Sequence, residues 1–452
     1  MAKTDAILRQ LRDYESRNVT FTEADGSWPI VWERAQGVHV WDAEGKKYLD
    51  LTAAFGVAAA GHANPAVVRA GQKQMAKLLH AMGDVHPHAL KAQLARELSQ
   101  LTFERWSVAA LVRARQSSPL AKKIGRTLTS AATGKVIFCN SGFEAVEAAL
   151  KTAMLATGKR GIIAFEGAYH GLGYGALNAT HRERFRGPFR SQLREFGHFL
   201  PFPKTKEDLR LLTTAATRIL RRKQTGAILV EPIQARGGIN IPPPGFLPLL
   251  RKLCNEHGAL LILDEIYTGF GRTGKWFACE HSGVVPDLIC LGKALTGGFP
   301  LSACVGRADV MDAAWPASTG EAIHTSTFLG HPVGCAMALA QISQIKQLKL
   351  CARSAQLGKT LLQQLSILNP QASIPATPRG VGLMAGLELV NSDGSPATVE
   401  SLRVIKEMLH RGFILLPEGE HGNVVSFTPP LTISEAQLGR MVVELQKVLN
   451  QQ

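Results

Sequence analysis

The chain of 452 residues has no long hydrophobic run and few charged residues. Its longest stretch of low polarity, residues 51–61, is far too short to cross a bilayer, so no membrane segment is expected. Charged residues make up 19% of the chain and hydrophobic residues 45%, which excludes a disordered or coiled-coil protein. Glycine and proline are common but not periodic, which excludes a collagen-like chain.

The seven cysteines lack the spacing of a metal site or of a disulfide framework. None belongs to a Cys-x-x-Cys pair, their number is odd, and several lie in apolar runs. Buried free thiols in a reducing compartment are the better interpretation, and no metal site is predicted. The N-terminal residues carry mixed charge and lack the apolar segment of a signal peptide. We therefore expect a cytoplasmic protein.

Acidic residues are outnumbered, with 36 Asp and Glu against 51 Lys and Arg, for a formal net charge of +15. Such an excess can indicate binding to nucleic acid. The basic segments, residues 103–132, 181–186 and 218–223, contain no recognition motif and no regular interleaving with aromatic residues. We therefore do not expect nucleic-acid binding. Residues 103–132 are interpreted as an exposed insertion, and a partner-binding element is the alternative.

Short apolar runs alternate with helical patterns from about residue 135 onward. The strand candidates are residues 135–139, 161–165, 227–230, 259–263 and 287–291. This alternation predicts an α/β protein with a parallel sheet that is covered on both faces. Residues 38–51 predict a small hairpin. Longer helices after about residue 331, with strands near 383–389 and 423–427, indicate a second, smaller α+β unit.

Polar residues follow four of the predicted strands. Ser141 and Gly142 open a helix whose free N–H groups could hold a phosphate, although a simple helix cap is the alternative. Glu231 and Asp264 each follow a strand; Glu231 could be structural, and a buried carboxylate such as Asp264 needs a cationic partner. Lys293 follows another strand, and burial there would lower its pKa and make the amine nucleophilic. The alternative for Lys293 is a side chain that extends to solvent.

These residues are more informative together than singly. All four sites lie at carboxyl ends of strands, the edge at which open α/β sheets bind ligands. Pyridoxal 5'-phosphate (PLP) requires a lysine for a Schiff base, an acid for its ring nitrogen and an anchor for its phosphate. The sequence therefore predicts a PLP site at this edge.

The sequence resembles the class III aminotransferases from about residue 38 to residue 449. The motifs that carry the resemblance are Asn-Ser-Gly-Phe-Glu-Ala-Val-Glu (140–147), Ala-Tyr-His-Gly (168–171), Glu-Pro-Ile-Gln (231–234), Asp-Glu-Ile-Tyr-Thr-Gly-Phe-Gly-Arg-Thr-Gly (264–274), Lys293 with Gly-Gly-Phe-Pro-Leu (297–301), and Ser-Thr-Phe-Leu-Gly-His-Pro (326–332). The resemblance implies the PLP-dependent transferase fold type I. Its large domain, residues 76–330, would hold a mostly parallel seven-stranded sheet between helices. Residues 1–75 and 331–452 would form the smaller α+β domain and an arm.

The resemblance also implies roles for single residues around the ring of the cofactor. Lys293 would bind PLP covalently, and Asp264 would keep the pyridine nitrogen protonated. Tyr169 would stack on the ring, with His170 and Gly171 beside it. The reaction would be ping-pong transfer of an amino group, often a non-alpha one, from an amine or amino acid to a keto acid.

Further roles concern the phosphate and the substrate. Backbone N–H groups of Gly142 and Phe143, after Ser141, would hold the phosphate. Thr327 would reach the phosphate from the neighbouring subunit, which implies a homodimer with shared sites. Glu231 would lie on the substrate side.

The sequence departs from the common family pattern at a few positions. Tyr267 stands where many members have Gln beside the ring hydroxyl, and Phe143 replaces a small residue in the phosphate turn. Ser426 stands where many relatives that use 2-oxoglutarate have Arg, and Arg236 stands where those relatives have the acid that pairs with this Arg. We hypothesise that Arg236 binds a substrate carboxylate. The alternative is that Arg236 points to solvent and that the substrates have no second carboxylate.

PLP-dependent racemases, epimerases and aminomutases close to this family share the same motifs, and they are the alternative function. By the same resemblance, racemases with a similar C-terminal sequence use an acid on the Glu-Pro-x-Gln loop, where this chain has Arg236, as a second base. Arg236 therefore favours transamination.

Overall fold

The structure is a computed structural model that describes residues 3–23, 26–108, 133–368 and 374–451. The helices are α1 (Lys3–Tyr14), α2 (Pro65–Lys77), α3 (Ala89–Ser99), α4 (Gly142–Thr157), α5 (Tyr174–Leu177), α6 (Glu183–Arg186), α7 (Lys206–Leu220), α8 (Phe246–His257), α9 (Ala308–Ala314), α10 (Pro332–Gln347), α11 (Leu350–Ser366), α12 (Thr398–His410) and α13 (Glu435–Leu449). The strands are β1 (Trp32–Gln36), β2 (His39–Asp42), β3 (Lys47–Asp50), β4 (Gly134–Cys139), β5 (Gly161–Phe165), β6 (Gly197–Leu200), β7 (Thr225–Val230), β8 (Leu260–Asp264), β9 (Leu288–Leu291), β10 (Ser302–Arg307), β11 (Ala376–Gly380), β12 (Ala385–Leu389), β13 (Phe413–Ile414), β14 (Leu416–Glu418) and β15 (Val424–Phe427).

A seven-stranded sheet in the order β4-β10-β9-β8-β7-β5-β6 forms the centre of the fold. The strands from β5 to β9 pair in parallel, whereas β10 is antiparallel to both of its neighbours, β4 and β9. Strands β5, β7 and β9 are buried along their whole length, which explains their continuous apolar sequences. The predicted α/β class with a mostly parallel seven-stranded sheet is confirmed.

Helices cover both faces of this sheet, and alternate residues of one strand enter different cores. In β8, Leu261 and Leu263 pack into the larger core, while Ile262 packs into the core beneath α4. The buried face of α4 consists largely of alanines, which allows the helix to lie close to the sheet. The carboxyl ends of β7, β8 and β9 are thereby held rigidly side by side.

Two four-stranded sheets complete the fold, in the orders β1-β2-β3-β13 and β11-β12-β15-β14. The predicted hairpin is the antiparallel pair β2–β3, and the late strand β13 joins β3 in parallel. The domain boundaries near residues 75 and 330 stay a prediction. Among the described helices, none combines the length and the apolar character that a membrane span requires.

Some elements of the fold were not predicted from the patterns in the sequence. Strands β6 and β10 were not expected, because β6 is short and contains Gly and His, while β10 contains Ser, Gly and Arg. The interpretation of residues 103–132 as an exposed insertion is wrong at its start, because Phe103 and Trp106 are buried in the larger core. Residues 109–132 of that segment lie outside the described residues.

Candidate active site

A cavity of about 440 Å³, here called the inner cavity, lies at the carboxyl ends of β7, β8 and β9 and beside the start of α4. The residues selected from the sequence that line it are Gly142, Phe143, Tyr169, His170, Gly171, Glu231, Arg236, Asp264, Tyr267 and Lys293. Several of them lie close together because the carboxyl ends of parallel strands are at the same edge of the sheet, so the residues that follow these strands are neighbours. The structure therefore brings these residues together in one cavity, and their role as a site stays a prediction.

Lys293 enters this cavity from the turn after β9. Its Nζ lies 3.8 Å from the centroid of the Tyr267 ring. Burial lowers the pKa of the Lys293 amine to about 8, although the carboxylates of Asp264 and Glu231 act in the opposite direction. The residue also has a φ of +36°, a conformation that residues other than glycine rarely adopt and that is concentrated at functional sites. The neutral fraction of this amine near neutral pH is therefore much larger than that of an ordinary lysine.

Asp264 is paired with a histidine from the loop after β5. Its Oδ2 lies 2.8 Å from Nδ1 of His170, and its Oδ1 accepts a hydrogen bond of 3.1 Å from the backbone N–H of Ile266. Both side chains of the pair are almost fully buried. The backbone N–H of His170 in turn donates to Thr180 Oγ1 at 2.9 Å. The partner that the buried Asp264 was expected to need is therefore an imidazole, which sequence reasoning had assigned only to the cavity wall.

Glu231 links two loops of the site. Its Oε1 accepts from the backbone N–H of Tyr169 at 3.0 Å, and its Oε2 accepts from that of Ala235 at 3.1 Å. Burial raises the pKa of this carboxyl, and the two backbone hydrogen bonds act in the opposite direction. Glu231 thus fixes the positions of Tyr169 and of the residue that precedes Arg236.

The start of α4 forms the end of the cavity that was predicted to bind phosphate. Glu144 Oε2 accepts hydrogen bonds from the backbone N–H groups of Asn140, at 2.6 Å, and Ser141, at 3.2 Å. The next N–H groups, of Gly142 and Phe143, belong to the first turn of the helix and have no acceptor within it. A helix start of this kind attracts anions.

A close contact joins this helix start to the loop that carries Tyr169. Gly171 has a φ of +111°, and a Cβ built on it would lie 2.3 Å from Cβ of Phe143. Only glycine fits this position. The bulky Phe143, a departure from the family pattern, is accommodated in addition by Gly173, where a Cβ would lie 2.5 Å from its ring.

An ion pair between Arg236, which lines the cavity, and an acid that does not line it was not predicted. Arg236 Nε lies 3.6 Å from Oε2 of Glu418 on β14. Burial raises the pKa of Glu418 to about 7, although Arg236 and Lys293 act in the opposite direction. The side chain of Arg236 is 33% exposed and lies beside the ring of Tyr169, 5.3 Å from its centroid, so it does not point simply to solvent. In the sequence, Glu418 was visible only as an acidic residue shortly before Ser426. The hydroxyl of Ser426 itself donates a hydrogen bond of 3.0 Å to the backbone carbonyl of Leu416.

Two other predicted residues, Tyr267 and Thr327, differ in their relation to the inner cavity. The hydroxyl of Tyr267 is 3.1 Å from Thr428 Oγ1, and burial raises the pKa of Tyr267 to about 12. The side chain of Tyr267 therefore lies beneath Lys293 as a neutral ring. Thr327 is exposed and is not among the described residues that line the inner cavity.

The residues around the inner cavity fit PLP. The volume is within the range of small-molecule sites. The chain offers a lysine with a lowered pKa, a buried carboxylate and a helix start, which match the aldehyde, the ring nitrogen and the phosphate of the cofactor. In addition, Ser141 Oγ and His170 Nε2 are buried and have no hydrogen-bond partner in the described part of the chain. Such atoms normally find a partner.

Comparison with known proteins agrees with this geometry. Residues 20–449 match the family Aminotransferase class-III. The chain is 36% identical to the acetylornithine aminotransferase of Methanopyrus kandleri, over 93% of this chain and 95% of the relative. It is 34% identical to the 2-aminoadipate transaminase of Pseudomonas putida, over 90% and 92% of the two chains.

Solved structures show the same fold. An ornithine aminotransferase from Toxoplasma gondii, with PLP at partial occupancy in its active site, superposes with a TM-score of 0.80 at 26% identity, over 99% of this chain and 95% of the other. An aminotransferase from Bacillus anthracis superposes with a TM-score of 0.86 at 25% identity, over 99% of both chains. This chain belongs to the class III aminotransferase family. It is a PLP-dependent enzyme that transfers amino groups.

Proposed function

We propose that the inner cavity is the active site and that the enzyme transfers a non-alpha amino group from a carboxylate-bearing amine to a keto acid. The observation that carries the location is the Lys293 amine, with its lowered pKa, beside the buried Asp264–His170 pair. The carboxylate is inferred from Arg236 on the cavity wall. Two relatives support the carboxylate, because they are named for acetylornithine and 2-aminoadipate, compounds that contain carboxylates. Only the first supports the non-alpha position, because the amino group of 2-aminoadipate is an alpha-amino group.

In this proposal each wall of the cavity holds one part of the cofactor. Lys293 would hold PLP covalently, the N–H groups of Gly142 and Phe143 would hold its phosphate, and Tyr169 would lie beside its ring. Asp264 keeps a proton on the ring nitrogen, and the hydrogen bond from His170 holds its carboxylate in place. When bound, PLP supplies an electron sink for the carbon that carries the amino group.

The proton transfers are assigned to Lys293. Its Nζ would accept the proton that leaves the substrate carbon and hold it for return. A lowered pKa suits this task, because a neutral amine is needed to accept the proton. Keto acid then enters in a second half-reaction, so parallel double-reciprocal plots are expected.

Replacement of the lysine tests the assignment of the cofactor site. Lys293→Ala is expected to lose the visible absorption band of lysine-bound PLP and its reduction by borohydride. Lys275→Ala, an exposed lysine whose Nζ donates to the Glu280 carbonyl, serves as the matched control and should keep both. Persistence of the band in Lys293→Ala would refute the assignment.

The carboxylate is assigned to Arg236. Its guanidinium can clamp a carboxylate with two hydrogen bonds, which lysine cannot reproduce. Arg236→Ala is expected to raise KM for the keto acid or for the amino-acid donor by about 10- to 100-fold, the worth of a charged hydrogen-bonded contact. Steady-state kinetics with a panel of donors and keto acids provides the measurement, and unchanged KM values for all of them would contradict the assignment.

We also propose a homodimer in which Thr327 serves the neighbouring active site. Large apolar side chains are exposed on two segments, with Leu79 and Val85 on one and Ile323 and Phe328 on the other. The segments are joined by a hydrogen bond of 2.6 Å between Thr325 and Asp84. Apolar surface of this kind is typical of subunit interfaces. Analytical ultracentrifugation should find a dimer, and a monomer with full activity would refute the proposal.

A cytoplasmic location is proposed from the cysteines. All seven are free, and six of them are buried. Burial raises the pKa of thiols such as Cys139, Cys254 and Cys335, so they are poor nucleophiles. Such thiols are typical of reducing compartments.

A further inference from the structure

Arg236 borders more than the inner cavity. On its other side lies a cavity of about 770 Å³, here called the outer cavity, which is formed by the end of α1, residues 15–22, Arg184 and Pro417. Arg236 lines both cavities, so the two cavities adjoin at this side chain.

The outer cavity has a strongly positive lining. Arg12, Arg17, Arg184 and Arg236 line it, whereas Glu15 is its only acidic residue in the part of the chain that the structure describes. Glu15 Oε2 already accepts a hydrogen bond of 3.2 Å from the backbone N–H of Thr20. The Glu15 carboxylate thus already has a hydrogen-bond partner in its own segment. The electrostatic potential inside the cavity is positive and favours an anion.

Glutamates near Arg184 in the sequence form hydrogen bonds with other arginines. Glu183 accepts from Arg190 at 2.7 Å, and Glu195 accepts from Arg186 at 3.3 Å. Within the described ranges, Arg12, Arg17 and Arg184 form no ion pair, and each has an exposed side chain. Three guanidinium groups are therefore available to a ligand.

We propose that the outer cavity binds the anionic group at the far end of a long amine substrate. The class is an amine whose amino group reaches Lys293 and whose other end carries a carboxylate or a phosphate. Apolar walls from Leu11, Val19, Phe21 and Pro417 fit the hydrocarbon between the two ends. This inference rests on the proposed active site at Lys293 and adds a second anion subsite beyond Arg236.

Kinetics with substrates of graded length test the subsite. The double variant Arg12→Gln/Arg184→Gln removes two charges from the cavity, and Arg9→Gln/Arg194→Gln removes two exposed arginines that do not line it. For long terminal amino acids, such as 8-aminooctanoate, the first variant should raise KM about 3- to 10-fold, as expected for two exposed ion pairs, with kcat unchanged. KM for the alkylamine of the same length, which lacks the terminal anion, should not change.

Two outcomes overturn the subsite. One is an equal rise in KM for the amino acid and the alkylamine, and the other is the same rise in the control variant. Aminoalkyl phosphates of matched length identify which anionic group is preferred. A KM for the amino acid or for the aminoalkyl phosphate that is lower than the KM for the alkylamine supports the subsite. Equal KM values for all three compounds refute it.

A binding measurement separates this inference from the proposed reaction. Octanedioate has no amino group, so its affinity for the holoenzyme can be measured by calorimetry whether or not any amine reacts. The Arg12→Gln/Arg184→Gln variant should weaken its binding about 3- to 10-fold relative to the control variant. Unchanged affinity refutes the subsite even if transamination is found. Failure of every amine to react, with octanedioate binding weakened as expected, refutes the proposed donor class and leaves the subsite supported.

Discussion

The buried carboxyl of Glu418 should make the stability of the enzyme depend on pH in a defined way. Its pKa is raised from the ordinary value of 4.5 to about 7, with burial as the main cause. Between these two values the unfolded chain is ionised to a greater extent than the folded one and binds fewer protons. Stability therefore falls as pH rises through this window.

The magnitude follows from the two pKa values. The folded state is destabilised relative to an uncharged side chain by about 1 kcal/mol near about pH 5.5 and by about 3 kcal/mol near about pH 8.5. Glu418→Gln removes this contribution and keeps the volume of the side chain. The difference in unfolding free energy, variant minus wild type, should thus increase by about 2 kcal/mol between these pH values. Any pH-independent cost of the buried amide cancels in this comparison.

Urea unfolding of the holoenzyme, followed by tryptophan fluorescence at both pH values, provides the assay. The control is Glu420→Gln, an exposed glutamate two residues further on. A variant-minus-wild-type difference that is equal at both pH values, or larger at the lower one, would refute the argument that Glu418 is held in a setting that disfavours its charge.

Two further predictions concern the loop of Tyr169 and the buried acid. Gly171→Ala should destabilise the protein by about 2–4 kcal/mol, because the new Cβ meets Phe143 and the φ is positive, whereas Gly158→Ala, at a φ of +69° in open space, should cost only about 1 kcal/mol. Urea unfolding distinguishes the two variants, and equal costs would contradict the close contact. Asp264→Asn should lower kcat by on the order of 10²–10³-fold, as for the loss of a preorganised charge, while the visible band of bound PLP remains. An unchanged kcat in steady-state assays would remove Asp264 from the catalytic assignment.

Residues next to apolar strands were the most predictable part of the site. Strands such as β7 and β8 are recognisable from their continuous apolar sequences, and the residue at or just after each carboxyl end falls on the ligand-binding edge. Glu231, Asp264 and Lys293 could therefore be selected from local sequence alone. The resemblance to a family then added Tyr169 and Arg236, which lie in loops without such a pattern.

Contacts between distant segments could not be read from the sequence in this way. The partner of Asp264 lies 94 residues earlier in the chain, and the partner of Arg236 lies on a strand of three residues. Neither pairing leaves a periodic signal, because each depends on how separate elements pack. The same holds for Phe103 and Trp106, whose burial depends on the core that later segments complete.

The sequence by itself determined the α/β class and placed the lysine and the acid proposed for the reaction at one edge of the sheet, because both follow from local apolar patterns and strand ends. Only the tertiary structure decided which charges face one another. It placed Arg236 against Glu418 and in the lining of the same cavity as Arg12 of the N-terminal helix and Arg184 of α6. Charge pairing and burial depend on distances across the folded chain, and those distances arise only when the sheets and the N-terminal segment pack together.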